Sequence, residues 1–441
     1  MDKCFRLAYM FGVVMGYGLI YILNVLFDLI CDQQHNSNKA LHLENFIIDC
    51  CECLKTINIF YIKAIQAASA NKDNFSDRLS DYMDNYSDNV PYNENDFDIN
   101  KLRNNILGGE NITIGNKPVA SGTIAVVFKG YNTILKKEYA IKIKRNNIER
   151  LIITSIDDMK TFIWLLDKIP AIRHFNLYKT FEENIVNLKE QLNFENEWDN
   201  IDKMYQANIR YPDIIIPHAY YRDFTEQYKN IIIMDWIDGM KLNEVPENKK
   251  DNFCELVAKF GIKSIFFDGC THGDLHQGNC RFILDKEIDS ETNTETEVAK
   301  LAVFDFGILC NIDRVEQDII YRVFRESFAG NYSAGAKIIL DETLTPKHKD
   351  NILSPNKYNR LSQEIAHWGE SAIGMRKIIT PADFQCLSKI TEKYGLSLPD
   401  WFCKMITSFA INESLSKALS TNKTFIEYAT DIIKETDELL G

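Results

Sequence analysis

Two short stretches decide the fold: HGDLHQGN at residues 272–279 and DFG at residues 305–307. Transfer of a phosphoryl group needs a carboxylate that orients or deprotonates the nucleophile. It also needs oxygen ligands for the Mg²⁺ ions that bridge the phosphates. Asp274 can supply the first function, and Asn279 and Asp305 can supply the metal ligands. We therefore predict a magnesium-dependent phosphoryl-transfer centre in which Asp274 is the catalytic residue.

A loop of small residues lies upstream, with the sequence PVASGTIA at residues 118–125. Small residues let backbone N–H groups approach phosphate oxygens closely, so we predict that this loop binds a nucleotide. The alternative is an ordinary hairpin between two strands. The residues predicted to bind the nucleotide here are Val119, Ala120, Ser121, Gly122 and Thr123.

Lys142 and Glu197 follow this loop in the order found in protein kinases. In the predicted strand YAIKIK at residues 139–144, Lys142 can bind the α- and β-phosphates; alternatively it is a strand lysine that faces solvent. Glu197 shares a predicted helix face with the apolar Phe194 and Ile201. A charge on an apolar face is costly unless it is paired, so we predict that Glu197 pairs with Lys142.

Two further predictions concern the catalytic loop and the adenine. His272 and His276 could belong to a metal site, but no third ligand is evident. We expect His272 to orient the loop and His276 to be a polar residue with satisfied hydrogen bonds. A hinge is predicted at residues 234–237, where backbone groups of Asp235 and Trp236 would meet the adenine. The alternative is a buried edge strand that ends in a turn.

Composition excludes several classes of protein. The chain has 441 residues, of which 45% are hydrophobic and 26% are charged, as in globular proteins and unlike disordered or collagen-like chains. Its 50 Lys and Arg residues against 63 Asp and Glu residues leave a net charge of −13, which argues against nucleic acid as a partner. The 11 cysteines lack the spacing of a zinc site, so we expect reduced, packed thiols.

An uncharged apolar run covers residues 7–27, with the sequence LAYMFGVVMGYGLIYILNVLF. It is long enough to cross a bilayer and longer than the core of a signal peptide. We predict a single-pass membrane anchor here and a membrane-associated protein; the alternative is a buried helix of the fold. Gly12 and Gly16 could allow a second helix to approach closely.

The distribution of β-branched and apolar residues predicts an α+β, two-lobed arrangement. We expect a membrane anchor at residues 1–32, a helical extension at 33–110, a β-rich lobe at 111–239 and a helical lobe at 240–441. The acidic, Thr-rich stretch DKEIDSETNTETEVA, at residues 285–299, has no apolar period and is expected to be an exposed hairpin loop.

At these residues the sequence resembles the ABC1/ADCK/UbiB family of atypical kinases. PVASGTIAVVFKG resembles the family's alanine-rich loop, and LNFENEWDN at residues 192–200 is similar to its L-D-F-x-x-E-x-x-N segment. HGDLHQGN resembles its catalytic loop H-A-D-P-H-P-G-N. FYIKAIQ at residues 60–66 resembles its F-I-K-x-G-Q signature. The resemblance covers roughly residues 45–435.

The resemblance implies a protein-kinase-like fold with a helical extension over the active site, and it implies ATP and Mg²⁺ as cofactors. In that family the lysine and glutamine of the signature, here Lys63 and Gln66, face the nucleotide and occlude a protein substrate. Members are tied to quinone and other isoprenoid-lipid metabolism. They behave as ATPases or small-molecule kinases more than as protein kinases.

Four residues depart from the family pattern. The glycine of the signature is Ile65, and one loop alanine is Gly122. Leu275 and Gln277 replace both prolines of the catalytic loop. Because glycine has more backbone freedom than alanine, we hypothesise that Gly122 makes nucleotide binding or autophosphorylation less restrained.

Three functions are compatible with these motifs. The first is a Mg²⁺-dependent ATPase or kinase that acts on, or next to, a lipid or quinone-like molecule at a membrane. The second is a Ser/Thr protein kinase, which the HxD and DFG motifs favour, although no A-P-E motif follows Asp305 at the usual distance. The third is a scaffold that binds a nucleotide without hydrolysing it.

Overall fold

The computed structural model describes residues 2–30, 35–58, 60–61, 78, 82, 90–103, 111–166, 168, 178, 181–182, 185, 189–220, 229–288, 295–346, 353–420 and 422–440. The chain forms two compact units. Unit 1 contains Met1–Asn196 and Tyr220–Trp236, and unit 2 contains Glu197–Ala219 and Ile237–Gly441.

The described ranges contain eleven α-helices of 7 residues or more. They are α1 (Lys3–Ile30), α2 (His35–Leu54), α3 (Ile148–Leu166), α4 (Phe194–Asn208), α5 (Lys250–Lys263), α6 (Arg314–Phe328), α7 (Tyr332–Ile338), α8 (Pro355–Gly369), α9 (Pro381–Lys393), α10 (Asp400–Leu419) and α11 (Phe425–Leu440). The strands are β1 (Ile112–Ile114), β2 (Ala120–Ser121), β3 (Ala125–Asn132), β4 (Lys137–Lys144), β5 (Ile214–Ile215), β6 (Ala219–Tyr220), β7 (Ile231–Asp235), β8 (Cys270–His272), β9 (Cys280–Ile288), β10 (Glu295–Val303), β11 (Leu309–Asn311), β12 (Thr345–Pro346) and β13 (Leu396–Ser397).

The main sheet has the strand order β1-β3-β4-β7-β6, and β2 pairs with β3. Strand β4 is antiparallel to both of its neighbours, β3 and β7, so it lies inside the sheet. Alternate residues of these strands point to one core, where Phe128, Ile141, Ile143 and Ile233 are buried together. The sheet therefore holds β4 rigidly, and Lys142 lies on this strand.

Helix α1 packs along one side only. Met10 is fully buried, and the ring centroids of Phe11 and of Phe162 in α3 are 4.7 Å apart. Further along, the ring of Tyr21 lies 6.1 Å from that of Phe46 in α2. One stripe of α1 is thus part of the packing of unit 1.

The opposite side of α1 is exposed and apolar. The stretch Lys3–Asp28 has a mean hydropathy of 2.0 and only 6% of it is buried, so the helix is long and apolar enough to cross a membrane. A signal sequence or a core helix would meet the same criteria of length and composition. Gly12 and Gly16 have open space beside them. The exposed large apolar side chains are Phe5, Met15, Leu19, Ile20, Ile22, Leu23, Leu26 and Phe27.

Unit 2 is mainly helical, as predicted for the chain after residue 313. Its core includes Phe266, Phe324, Phe409 and Phe425. The rings of Phe324 and Phe409 stack with their centroids 4.8 Å apart. The short pair β12–β13 interrupts the helices of this region.

The prediction of a hairpin loop over residues 285–299 is wrong for the described residues 285–288 and 295–299, which form strands. Residues 285–288 belong to β9 and residues 295–299 to β10, and the two strands pair antiparallel from Cys280 opposite Val303 to Ile288 opposite Glu295. Ion pairs join the polar side chains to neighbours, for example Lys300 to Asp285 at 2.8 Å. Threonine and valine favour extended backbone, and charges that find partners are tolerated on an exposed strand.

Candidate functional site

Lys142 lies in the middle of the sheet of unit 1. Its backbone is paired with Val127 on one side and Ile232 on the other. Its Nζ lies 5.8 Å from the centroid of the Phe194 ring, and the Nζ of Lys144 lies 5.0 Å from the same centroid. Cations are attracted to an aromatic face. The half-buried Lys142 and its neighbour on the same face of β4 therefore share one aromatic contact.

The small-residue loop closes as a tight turn between β2 and β3. The N–H of Gly122 donates to the carbonyl of Ala125 at 2.9 Å. Within the part of the chain that the structure describes, no hydrogen bond engages the backbone N–H groups of Thr123 and Ile124. These two donors of the turn can therefore bind an anion such as a phosphate oxygen.

The other predicted loop residues differ in their surroundings. The Ser121 hydroxyl donates to the carbonyl of Val90 at 2.7 Å and accepts from Nη2 of Arg145 at 2.8 Å, so protein groups already engage it. Val119 is 53% exposed and Ala120 is half-buried. Gly122 does not adopt a positive φ, so its backbone conformation is accessible to alanine.

Glu197 lies on the buried face of α4. Phe194, Ile201 and Met204, which with Glu197 recur every three or four residues along the helix, are buried on the same face, as the sequence predicts. Glu197 itself is buried, so its carboxylate needs a partner. Because Lys142 belongs to unit 1 and Glu197 to unit 2, their pairing stays a prediction.

His272 is buried at the end of β8 in the catalytic loop. Its Nδ1 accepts from the backbone N–H of Asp274 at 3.1 Å, and its Nε2 lies 2.9 Å from the carbonyl of Phe304. These partners require the neutral ring with its proton on Nε2. Burial lowers the pKa of His272, which favours the same neutral form. His272 therefore orients the backbone of Asp274, in agreement with the expectation from sequence.

Asn279 joins the catalytic loop to the strand that leads to Asp305. Its side-chain Nδ2 donates to the carbonyl of Asp274 at 2.9 Å, and its carbonyl accepts from the N–H of Phe304 at 2.9 Å. Asp305 is exposed and adopts a positive φ of 60°, which is uncommon for a residue other than glycine. Such a conformation persists where the surrounding structure holds it, often at functional sites.

The donor set of Asn279 and Asp305 suits Mg²⁺. Because the Nδ2 of Asn279 is bonded to the protein, its Oδ1 is the atom that can ligate a metal, and Asp305 offers a carboxylate. No group of three His, Cys, Asp or Glu side chains that could hold a metal occurs among the described residues. Kinases complete the coordination of Mg²⁺ with nucleotide phosphates, so one Asp and one Asn are enough.

The expectation for His276 agrees with the structure, and the expectation of packed cysteines agrees in part. The Nδ1 of His276 accepts from the N–H of Gly278 at 3.1 Å, so the ring caps a short turn. Cys4 and Cys386 are exposed, so packing inside the protein holds for only some of the described cysteines; the buried ones are Cys50, Cys51, Cys254, Cys270 and Cys280. Burial raises the pKa of Cys50 and of Cys51 to about 12, so both thiols stay protonated at neutral pH.

Asp235 and Trp236 end β7, where the chain passes from unit 1 to unit 2. The N–H of Trp236 donates to the carbonyl of Glu138 at 3.4 Å. The Asp235 carboxylate accepts from Lys137 at 2.6 Å and from the hydroxyl of Tyr220 at 2.8 Å. The side chain of Asp235 thus contacts residues of the two neighbouring strands, β4 and β6. The contact of this segment with adenine stays a prediction.

Lys63 and Gln66 lie outside the described residues, and their predicted position beside the nucleotide stays a prediction. Two other residues hold backbone segments of these motifs. Asn200 is the last residue of the LNFENEWDN segment, and Arg145 is a residue that sequence reasoning missed. The Nδ2 of Asn200 donates to the carbonyl of Phe306 at 2.9 Å and so holds the DFG segment. Arg145 binds both the small-residue loop and the segment that precedes β1. The only sequence signal for Arg145 is that a charged residue directly follows the alternating apolar and polar residues of β4.

The family model for the ABC1 atypical kinase-like domain matches residues 112–339, just over half of the chain. The chain belongs to the ABC1 atypical kinase family. This result confirms the resemblance found in the sequence. The α+β architecture of this ABC1 chain is therefore a protein-kinase-like fold, with an apolar helix near its beginning.

Named relatives of this ABC1 chain are distant. A Synechocystis protein described as uncharacterized is 23% identical, over 59% of this chain and 37% of its own length. An Arabidopsis thaliana chloroplastic protein, described as an uncharacterized aarF domain-containing protein kinase, is 21% identical over 70% of this chain and 41% of its own length. The ABC1 chain thus spans about two fifths of the length of these relatives.

Solved structures include a similar chain from Mycobacterium tuberculosis, the protein Rv3197 in complex with erythromycin. It is 16% identical, with a TM-score of 0.42, and the alignment covers 80% of this chain and 90% of the other.

Proposed function

We propose that this ABC1 chain is a Mg²⁺-dependent enzyme that binds ATP and either transfers or hydrolyses the terminal phosphoryl group. The observation that carries the proposal is the hydrogen-bonded arrangement of the catalytic loop. Neutral His272 holds the backbone of Asp274, and Asn279 binds both Asp274 and the strand before Asp305. Two side chains, those of His272 and Asn279, thus hold the backbone of Asp274, and this supports a catalytic role for the loop.

Each residue has a specific role in this proposal. Lys142 binds the α- and β-phosphates, and the buried Glu197 fixes its ammonium group. The backbone N–H groups of Thr123 and Ile124 bind a phosphate oxygen. Asp274 accepts the proton of the attacking hydroxyl group or water, or orients that nucleophile. Positioning and electrostatic stabilisation then supply most of the rate enhancement.

Asn279 and Asp305 would hold Mg²⁺, which neutralises the charge that develops on the phosphoryl oxygens. Neither residue needs to act as an acid or a base. Their task is to present an amide oxygen and a carboxylate oxygen on the same side of the catalytic loop. The backbone bond from Phe304 to Asn279 supports this arrangement, because Phe304 directly precedes Asp305.

We also propose that the enzyme works at a membrane, on or next to an isoprenoid-lipid or quinone-like molecule. The exposed apolar side of α1 supports contact with lipid. The other side of α1 packs within unit 1, so the contact proposed here uses one face of the helix. A helix that spans the bilayer at residues 7–27 would have to separate from α3, with loss of the ion pair between Arg6 and the buried Asp158.

The Asp274→Asn variant tests the phosphoryl-transfer proposal. We expect ATP turnover by the full-length protein in mild detergent to fall by about 10²–10⁴-fold, because the proton acceptor is lost. The melting temperature and its shift upon addition of Mg·ATP should be retained. Adding quinone-like phenols and liposomes to the same assay tests the acceptor class, since a true acceptor would raise turnover.

The matched control is Asp285→Asn, which removes an exposed carboxylate in the same unit. Asp285 pairs with Lys300 on the hairpin and has no role in the proposal. Turnover should be unchanged in this variant. Normal turnover by Asp274→Asn would overturn the assignment of Asp274. A thermal shift with Mg·ATP but no turnover above the Asp274→Asn background would instead support the scaffold function.

A further inference from the structure

Arg145 directly follows β4, three residues after Lys142, and its side chain is only 6% exposed. Burial lowers the pKa of Arg145, and the carboxylate of Asp96 opposes that shift. An arginine nevertheless remains protonated at any pH at which proteins are folded. A buried cation is tolerated only when its donors are satisfied, so the partners of Arg145 identify what the residue holds.

All five N–H donors of the guanidinium have an acceptor. The Nε donates to the carbonyl of Gly122 at 3.1 Å. The Nη1 group donates to the carbonyl of Pro91 at 3.1 Å and to the Asp96 carboxylate at 2.6 Å. The Nη2 group donates to the carbonyl of Val90 at 3.4 Å and to the Ser121 hydroxyl at 2.8 Å. Two acceptors belong to the nucleotide loop and three to the segment at residues 90–96. The planar fork of arginine can bind both at once, whereas lysine has three donors on a single nitrogen.

The bond to Gly122 sets the direction of a neighbouring donor. The carbonyl of Gly122 and the N–H of Thr123 belong to the same peptide plane and point in opposite directions. Because Arg145 holds that carbonyl, the N–H of Thr123 must point away from the guanidinium. The backbone N–H of Arg145 also donates to the carbonyl of Ile124 at 2.9 Å, so the turn is held on both sides of Thr123.

The segment at residues 90–96 is tied to the same loop by direct bonds. The N–H of Val90 donates to the carbonyl of Ser121 at 2.7 Å, and the Ser121 hydroxyl donates back to the carbonyl of Val90 at 2.7 Å. The segment cannot shift without breaking these bonds and those of Arg145. Movement of the loop and movement of the segment are therefore coupled.

We propose that Arg145 is a positioning residue for nucleotide binding: it orients the Thr123 N–H toward a phosphate oxygen and couples the nucleotide loop to residues 90–96. The inference rests on the proposed function, since it requires that the loop binds ATP. It assigns no contact between Arg145 and the nucleotide. The coupling is reciprocal: the free energy by which the ordered segment at residues 90–96 favours nucleotide binding equals the free energy by which bound nucleotide stabilises that segment.

The Arg145→Lys variant of the full-length protein tests the inference. We expect the Kd of Mg·ATP, measured by isothermal titration, to rise about tenfold, because a pre-organised donor is lost. Turnover at saturating ATP should change less than about threefold, because the catalytic residues are untouched. A purely structural role would lower the melting temperature and leave the Kd of the folded protein unchanged.

Arg103→Lys is the matched control. Arg103 lies in the same unit and donates to the carbonyls of Ile114 and Gly115 and to the side chain of Asn116. Among the described residues it makes no hydrogen bond to the nucleotide loop at 118–125. The Kd of Mg·ATP for the Arg103→Lys variant should equal that for the unmodified protein. An unchanged Kd in Arg145→Lys, with normal binding by the unmodified protein, would overturn this inference alone. Failure of the unmodified protein to bind Mg·ATP would overturn the proposed function as well.

Hydrogen exchange of the unmodified protein gives a second test that needs no variant. Mg·ATP should slow exchange at residues 119–125 and also at residues 90–96. Exchange at residues 114–116, which Arg103 holds, should not change. Slower exchange in the loop without any change at residues 90–96 would show that the coupling is absent.

Discussion

A single buried imidazole connects the parts of the catalytic loop. His272 accepts from the backbone of Asp274 through Nδ1 and donates to the carbonyl of Phe304 through Nε2. The first bond orients the predicted catalytic residue, and the second fixes the strand that ends before Asp305. Two substitutions can remove these hydrogen bonds one at a time. The amide of asparagine can replace Nδ1, and the amide of the longer glutamine can replace Nε2.

We expect His272→Asn to retain more activity than His272→Gln. The asparagine oxygen lies where Nδ1 was and can accept from Asp274, but its side chain is too short to reach Phe304. The longer glutamine can donate to the carbonyl of Phe304 but does not place an acceptor where Nδ1 was. Each variant loses one buried hydrogen bond, so both should lose about 1–3 kcal/mol of unfolding free energy. Turnover at saturating ATP and urea denaturation measure the two effects, and equal turnover in both variants would contradict the role of the Asp274 bond.

The sequence predicts some functional residues better than others for a physical reason. Asp274 and Asn279 are five residues apart in one loop, so a local pattern can predict that they act together. Arg145 binds Val90 and Asp96, which are 55 and 49 residues away along the chain. No local pattern reports partners at such a distance. The residues proposed to do the chemistry can therefore be found from the sequence, whereas Arg145, proposed to position the loop, cannot.

At the scale of elements, two ion pairs join the beginning of α1 to α3. Arg6 binds Asp158 at 2.6 Å, and the Asp158 carboxylate, which is 0% exposed, also accepts from the hydroxyl of Tyr61 at 2.7 Å. Lys3 binds the adjacent Asp157 at 2.9 Å, but the Asp157 side chain is 70% exposed. Neighbouring carboxylates thus make a buried and an exposed pair with the same helix.

We expect Asp158→Ala to destabilise unit 1 by about 3–5 kcal/mol, because it leaves Arg6 and Tyr61 without their buried partner. Asp157→Ala should cost less than about 1 kcal/mol, because solvent screens an exposed pair. Urea denaturation of both variants measures the difference. Equal, small effects of the two substitutions would show that α1 does not depend on the buried pair for its attachment.

The hairpin of β9 and β10 shows where composition misleads at this scale. An acidic, Thr-rich stretch without an apolar period is typical of a loop, yet the strands extend to Ile288 and Glu295. The register is set by the apolar part of the hairpin, where Phe282 and Leu301 are fully buried opposite each other. Once that register is fixed, the polar continuation needs only favourable cross-strand pairs.

For the whole molecule, the net charge and the exposed side of α1 act in opposite directions at a membrane. A net charge of −13 repels anionic lipid. The exposed side chains of α1, such as Leu19 and Leu23, are apolar and carry no charge. If the protein binds a membrane, burial of this face in lipid must outweigh the repulsion.

The full-length protein should therefore float with vesicles of neutral phosphatidylcholine. It should bind vesicles containing anionic phosphatidylglycerol less well at low salt, and added salt should reduce that difference by screening the charge. Leu19→Asp should weaken binding to neutral vesicles at least about tenfold, since it replaces an exposed leucine that the lipid would cover with a charged side chain. Val315→Asp, at a residue of α6 that is 70% exposed, is the control and should bind normally. Binding that increases with anionic lipid and is lost in salt would instead point to a basic surface and would exclude α1 as the contact.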